Sequence, residues 1–166
     1  MYMKPNIKAL AFSTSIVVSL IFALALATEV PGPPATDLKL ARDLSFSDDS
    51  SANFPIEGKN LSDGSIAGDH ATVIFFGTAN CWNTAREAER LVHLYPRYKD
   101  KIRFVVVDLR KPSLAQQALI DRYYRGYIPT IAVIDSAGKV LYDRAGETAS
   151  ERGDTSNLQK LLDSAQ

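Results

Sequence analysis

The chain has 166 residues, which is the length of one ordinary domain with some additional segments. Nineteen basic and nineteen acidic side chains give a formal net charge of zero, so no excess of charge indicates nucleic acid or a strongly acidic partner. Hydrophobic residues make up 46% of the chain, which predicts a folded core rather than a disordered protein.

The first 27 residues have the pattern of an export signal. Lys4 and Lys8 give a positively charged start, and residues 9–27 contain no charged side chain. The segment Ala25-Leu26-Ala27 is a small-x-small pattern, so residues 1–27 are predicted to form a secretory signal peptide that is cleaved before Thr28. An uncharged stretch of this length also approaches the roughly 20 residues that span a bilayer. An uncleaved membrane anchor over residues 9–27 is therefore the alternative.

Both interpretations place the rest of the chain outside the cytoplasm, either secreted or anchored, in a periplasm or an equivalent compartment. Exported proteins often contain disulfides, but Cys81 is the only cysteine and cannot form one within the chain. No cysteine lies beside the apolar run, so a lipoprotein is not indicated. The stability of the fold must therefore come from its core.

Residues 28–66 are rich in proline and polar residues and are predicted to form a linker or a loosely packed N-terminal arm. The segment "PGPP" disfavours helix and should be extended. Within the arm, "TDLKLARDLSF" predicts a short helix with Leu40, Ala41 and Leu44 on one face.

From about residue 67 the pattern becomes one of alternating strands and helices. The apolar runs "ATVIFF" (71–76) and "IRFVVVDL" (102–109) are typical of buried strands. Apolar residues recur at helical spacing across 83–95, before Pro96, and across 113–124. The charges of "REAERLVHLYPRYK" in the first of these helices are explained by a solvated face.

The remaining segments complete an α/β domain over residues 67–166. "TIAVIDSAGKVLYDRAG" predicts two strands around a turn, and "DTSNLQKLLDSAQ" predicts a terminal helix. The order is therefore β-α-β-α-β-β-α. Strands joined through helices must be parallel and covered on both faces, whereas the last pair forms an antiparallel hairpin. The sequence predicts a mixed central sheet with helices on both faces.

Three features of this domain resemble the thioredoxin family. The strand "VIFF" is followed by a short loop, Cys81 and a long helix. The segment from "FVVVDLRKPS" to the hairpin follows the family's order of strand, helix, proline turn and hairpin. In "GYIPT", Pro129 fits the family's cis-proline. The resemblance covers about residues 67–166 and implies a thioredoxin-like fold.

The resemblance also implies where a substrate would bind. In the family, the cis-proline packs opposite the reactive cysteine and exposes backbone with which an extended substrate pairs. Taken alone, Pro129 is better explained as a trans proline at the start of a strand, because only about 5% of X-Pro bonds are cis. The resemblance favours the cis form and predicts substrate contacts at Ile128, Pro129 and Thr130. Trp82 beside Cys81 and Tyr127 beside the proline are predicted to add an aromatic rim that holds a peptide. The alternative is that Tyr123 is in the core and the other aromatics are scattered on the surface.

The resemblance gives Cys81 the place of the family's attacking cysteine. A position at a helix N-terminus supplies a chemical reason, because unpaired N–H groups and the helix dipole favour the thiolate. The chain departs from the family pattern at four places: Asn80 replaces Trp before the cysteine, Trp82-Asn83 replaces Gly-Pro, Thr84 replaces the second cysteine, and Phe75 replaces the buried acid.

These departures exclude a self-contained dithiol cycle, because the chain has no second thiol. What the residues allow is monothiol exchange, in which Cys81 attacks a disulfide and an external thiol releases the product. The Thr84 hydroxyl, one helical turn on, is predicted to donate to the thiolate. The alternative is a non-catalytic thioredoxin-fold module that binds a partner protein and in which Cys81 is a remnant. The expected partners are protein thiols or disulfides, or a small external thiol, and the chain is expected to be a monomer.

No second catalytic centre is predicted. His93 would lie roughly 15–18 Å from Cys81 along the helix, and His70 precedes the first strand, at the opposite end of the sheet. No cluster of cysteine and histidine has metal-ligand spacing, and no glycine-rich phosphate loop occurs. The sequence therefore predicts neither a metal nor another cofactor.

Overall fold

The computed structural model describes residues 37–59, 70–143 and 153–166, together with Leu61, Gly64, Ile66 and Gly68. The predicted signal peptide or anchor, residues 1–27, lies outside the described residues. Within these described ranges, no helix is both long enough and apolar enough to cross a membrane.

Short strands come first in the described chain, and an alternation of strands and helices follows. The elements are β1 (Lys39–Leu40), β2 (Ile56–Glu57), β3 (Ala71–Gly77), α1 (Trp82–Tyr98), β4 (Ile102–Asp108), α2 (Leu114–Tyr123), β5 (Thr130–Ile134), β6 (Val140–Asp143) and α3 (Ser156–Asp163). From β3 onward the order is the predicted β-α-β-α-β-β-α, and this prediction is confirmed.

The four longer strands form one mixed sheet in the order β4-β3-β5-β6. Strands β3 and β4 are parallel, whereas β5 is antiparallel to both β3 and β6. Every residue of β3 is buried, which explains why its sequence is a continuous apolar run rather than an alternating one. Gly138, in the turn between β5 and β6, has a φ of 81°, a conformation that glycine adopts without steric cost.

Side chains on the two faces of the sheet belong to two separate core clusters. One cluster joins the sheet to α1 and α3 and includes Val73, Phe75, Leu91, Leu158 and Leu162. The other joins the sheet to α2 and includes Ile74, Phe76, Val105, Leu119 and Tyr123. Successive residues of β3 alternate between the two clusters, as side chains of a strand must. Helices therefore cover both faces, as predicted.

The described part of the N-terminal arm is packed onto this sheet. Leu38 and Ile56 are buried in the cluster that contains α1 and α3. The prediction of a helix over residues 36–46 is wrong: β1 pairs in antiparallel fashion with β2, and the Ala41 N–H donates to the Pro55 carbonyl at 2.8 Å. The spacing of apolar residues suggested a helix, but pairing with a strand 16 residues later decides the backbone conformation.

Helix α1 continues beyond its predicted end before Pro96 and runs to Tyr98. Tyr98 is buried, and its hydroxyl donates to Asp163 of α3 at 2.6 Å. Burial, together with this hydrogen bond, raises the pKa of Tyr98 to about 12. Packing against α3 therefore holds the last turn of α1 in helical form although Pro96 cannot donate a backbone hydrogen bond.

Two charged residues of α1 also contradict the prediction of a solvated face. Glu87 and Arg90 are both buried and form an ion pair at 2.6 Å, one helical turn apart. A buried carboxylate requires such a partner, because an isolated charge in the interior is strongly destabilising. The spacing of charges alone does not distinguish this pair from an exposed one.

Candidate functional site

Cys81 lies at the N-cap position of α1, four residues after the end of β3. Its thiol is free and partly buried. The Cys81 backbone is extended, and its carbonyl accepts the Ala85 N–H at 3.0 Å, which is the first hydrogen bond of the helix. The structure therefore places the only thiol of the chain at the positive end of a helix of 17 residues.

Asn80 has a positive φ of 53° immediately before the cysteine. Asparagine adopts this left-handed conformation more readily than most residues with a side chain. Asn80 is exposed, and its N–H donates to the Ser51 carbonyl at 2.8 Å. The residue that replaces the family's Trp thus turns the chain into α1 and contacts the N-terminal arm.

Residues 45–51 of the arm lie against the start of α1, and we call this segment the clasp. The Trp82 N–H donates to Oδ1 of Asp49 at 2.9 Å, so a carboxylate accepts the backbone N–H that follows Cys81. The Arg86 Nε–H donates to the Phe46 carbonyl at 2.8 Å. The Arg86 guanidinium also lies 4.1 Å from the centre of the Trp82 ring. The clasp is thus attached to the first two turns of the helix.

Hydrogen bonds within the clasp fix its turn. The Ser50 N–H donates to Oδ1 of Asp48 at 2.9 Å, and the Asp48 N–H donates to Oγ of Ser45 at 3.2 Å. Hydrogen bonds from Ser50, and then from Ser45, lower the pKa of Asp48 below its ordinary value. These serine and aspartate residues are typical of turns and helix caps. Their contact with the start of α1 could not be predicted from the sequence, because capping residues normally lie next to their own helix in the chain.

Thr84 does not make the hydrogen bond that was predicted for it. Its side chain is fully buried, and its hydroxyl has no hydrogen-bond partner among the described residues. The Thr84 methyl group packs against Gly77, where any Cβ would collide with it. The side chain therefore packs against the end of β3, and its hydroxyl does not donate to the sulfur of Cys81.

Phe75 stands at the position of the family's buried acid and is part of the apolar core. The residue is fully buried, between Val106 of β4 and Ile131 of β5 in the sheet register. Its ring meets the edge of the Phe54 ring, with the centroids 6.2 Å apart. No carboxylate is available at this position to accept a proton from an attacking thiol.

The Ile128–Pro129 peptide bond is cis, as predicted. Thr130, the next residue, pairs with Phe76 near the C-terminal end of β3. The proline therefore lies at the end of the sheet where the Cys81 loop begins. The Thr130 hydroxyl donates to the Tyr127 carbonyl and helps to fix this turn. The topology thus brings the cysteine loop and the proline loop to one end of the sheet.

The residues predicted to contact a substrate differ in their exposure. Tyr127 and Ile128 are 48% and 41% exposed, and Trp82 is partly exposed beneath the Arg86 guanidinium. Pro129 and Thr130 are buried, so they can offer only backbone to a ligand. Tyr123 is in the core, and Tyr124 packs on Phe76 with the ring centroids 5.6 Å apart. An apolar surface is thus present at Tyr127 and Ile128; contact with a substrate stays a prediction.

The two histidines do not approach Cys81. His93 is exposed on the later part of α1, and His70 precedes β3 at the opposite end of the sheet. Among the residues that the structure describes, no group of three or more His, Cys, Asp or Glu side chains is placed to hold a metal ion. The thiol therefore has no described histidine to act as its base.

No family model and no curated protein matches this chain. Solved structures do match, among them the reduced thioredoxin pre-protein of Schistosoma mansoni, with 19% identity over 60% of this chain and 82% of that one and a TM-score of 0.45. Mitochondrial thioredoxin 3 of Saccharomyces cerevisiae is 18% identical over 58% of this chain and 79% of its own, with a TM-score of 0.43. A malarial protein is 16% identical over 58% and 97%, with a TM-score of 0.45.

The fold is defined by this chain's own topology. Strand β3 lies between a parallel and an antiparallel neighbour, a cysteine starts the helix that follows it, and a cis-proline precedes the antiparallel strand. Helices cover both faces of the sheet. From β3 onward these features agree with the arrangement that the sequence predicts, and the chain has a thioredoxin-like fold.

Proposed function

We propose that the chain catalyses thiol–disulfide exchange with Cys81 as its single reacting thiol. The observation that carries this proposal is the partly exposed cysteine at the N-cap of α1, at the end of the sheet where the cis-proline also lies. The thiolate is the attacking species, and the N–H groups and dipole of a helix N-terminus favour it.

The proposed reaction has two balanced steps. The Cys81 thiolate attacks one sulfur of a disulfide, a new S–S bond forms to Cys81, and the other sulfur leaves as a thiolate that takes a proton from water. An external thiolate then attacks this mixed disulfide and restores the Cys81 thiolate. The number of S–S bonds is conserved, so the chain exchanges disulfide partners, and net reduction requires a second external thiol.

The proposed substrates are protein disulfides or small disulfides in an extracytoplasmic compartment. Exposed Tyr127 and Ile128 beside Pro129 support binding of an extended segment, because aromatic and apolar side chains supply much of the binding energy at such surfaces. Export through residues 1–27, cleaved or retained as an anchor, is part of the same proposal and rests on the sequence pattern.

The experiment that tests the proposal is formation of a mixed disulfide with glutathione disulfide, followed by mass spectrometry. At pH 7 we expect the folded protein to form the adduct at least as fast as the same chain in urea, because a cysteine that is only a partly buried structural remnant would react more slowly when folded. Added glutathione should then release the free protein. Cys81→Ser, which should form no adduct, is the control. Slower reaction of the folded protein would contradict the proposal.

A second candidate is a non-catalytic module that binds a partner protein. Two observations favour it: Phe75 replaces the buried acid with apolar core, and the Thr84 hydroxyl does not bond to the sulfur. In this case Cys81→Ser would leave the affinity for an extended, disulfide-free peptide unchanged, whereas Tyr127→Ala would weaken it. Isothermal titration of both variants with the same peptide separates the two functions.

A further inference from the structure

Asp49 lies at the amide that follows Cys81, although 32 positions separate the two residues in sequence. Its Oδ1 accepts the Trp82 N–H at 2.9 Å, and the nitrogen of that group is bonded to the Cys81 carbonyl carbon. The carboxylate is therefore beside Cys81, and the clasp holds it there through the Ser51–Asn80 and Phe46–Arg86 hydrogen bonds.

The carboxylate changes the surroundings of the start of α1 in two ways. The carboxylate occupies an N–H group at the end of the helix where an anion is most favoured. Its negative charge also repels any second anion that forms nearby. A thiolate at Cys81 must therefore form next to the Asp49 carboxylate, which already accepts an N–H group at the positive end of the helix.

Other charged groups near the start of α1 are engaged elsewhere. The Arg86 guanidinium lies on the Trp82 ring and bonds to the Phe46 carbonyl. The buried Glu87 is paired with Arg90, and Asp48 accepts hydrogen bonds within the clasp. Asp108 is the last residue of β4, at the same end of the sheet, and its Oδ1 accepts the Arg110 N–H at 3.0 Å. Asp49 is the carboxylate that directly contacts the helix amide adjacent to the cysteine.

We infer that Asp49 is a positioning residue that restrains the reactivity of Cys81, with the clasp as the element that holds its charge in place. This inference rests on the proposed exchange function for its biological meaning. The chemical effect on the sulfur is measured independently. A segment outside the predicted thioredoxin-like domain thereby regulates the thiol inside it.

The test is the rate of Cys81 alkylation by iodoacetamide from pH 5 to pH 10. Asp49→Asn keeps a hydrogen-bond acceptor of the same shape and removes the charge. It should react about threefold to tenfold faster than the natural protein at pH 6, and the two rates should converge toward pH 10. Asp49→Ala, which also frees the amide, should react at least as fast as Asp49→Asn, and Asp49→Glu should restore the natural profile.

Two controls separate this effect from a merely structural one. Asp121→Asn removes the same charge from the exposed surface of α2 and should leave the profile unchanged. At about 1 M salt, where the Debye length is about 3 Å, the difference between Asp49→Asn and the natural protein should shrink. A rate change of equal size at every pH would show altered access to the sulfur and would overturn the inference, as would identical profiles for Asp49→Asn and the natural protein.

The same variants distinguish failure of the inference from failure of the proposed function. A shifted alkylation profile in Asp49→Asn, with no mixed disulfide formed by any variant, supports the inference and contradicts thiol–disulfide exchange. Mixed-disulfide formation by the natural protein, together with an unshifted profile in Asp49→Asn, supports exchange and overturns the role of Asp49.

Discussion

Thr84 illustrates how a residue can occupy a family's catalytic position and yet contact a different part of the molecule. The sequence places its hydroxyl one helical turn from Cys81, and a hydrogen bond to the sulfur follows from that spacing alone. The structure instead packs the Thr84 methyl group against Gly77 and leaves the hydroxyl buried without a described partner. Helical spacing fixes the position of a side chain along the helix, whereas its rotamer depends on the neighbouring strand.

We expect Thr84→Val to be as stable as the natural protein or more stable by about 1 kcal/mol, because a buried hydroxyl without a partner is replaced by a methyl group of similar size. Urea unfolding monitored by circular dichroism measures the change. Thr84→Ser is the matched control: it keeps the hydroxyl, loses the methyl contact with Gly77, and should be destabilised by about 1 kcal/mol. Slower mixed-disulfide formation by Thr84→Val at unchanged stability would show that the hydroxyl does serve the thiol.

At the scale of elements, the strands and helices of the domain could be predicted because each has a strong local pattern. Strands β3 and β4 are buried on both faces, which gives each a continuous apolar run. Helix α1 is buried on one face, which gives apolar residues at helical spacing. The two short arm strands and the clasp have no such pattern, because their conformation depends on residues far away in the sequence. The end of α1 was misplaced for the same reason: its last turn is held by α3.

The contact between α1 and α3 predicts a dependence of stability on alkaline pH. The folded pKa of Tyr98, about 12, lies above the ordinary value of 10.0, so the folded state holds this proton more tightly. Its contribution is fully present below pH 10 and is lost as the pH rises from about 10 to 12. We expect the free energy of unfolding to fall by up to about 2 kcal/mol more over this interval in the natural protein than in Tyr98→Phe. Urea unfolding at a series of pH values tests this, and identical slopes in the two proteins would refute it.

At the scale of the whole molecule, the arm and the predicted domain share one core. Leu38, Phe54 and Ile56 pack in the same cluster as Phe75 and Leu91. The sequence could not show this, because the arm's many polar and turn residues resemble those of a linker while its few apolar residues carry the packing. A thioredoxin-like domain was predictable from residues 67–166, whereas the surroundings of its cysteine were not.

A chain that begins at residue 67 should therefore be much less stable than one that begins at residue 28. Removing Leu38 and Ile56 deletes two buried side chains, each of which contributes on the order of 2–5 kcal/mol in a well-packed core. Thermal unfolding of the two chains measures the loss. The double variant Leu38→Ala with Ile56→Ala in the longer chain provides a milder control that keeps the backbone. Equal midpoints would mean that the arm is not part of the folding unit.

The shared core also sets the order in which folding can finish. Leu38 near the start of the described chain and Leu162 near its end are buried in one cluster. Because a ribosome releases the N-terminal residues first, the arm is made long before the helix that completes its surroundings. Contacts between such distant segments also close late, since the entropy of the intervening loop must be overcome first. The native core therefore cannot be completed until α3 (Ser156–Asp163) has been synthesised.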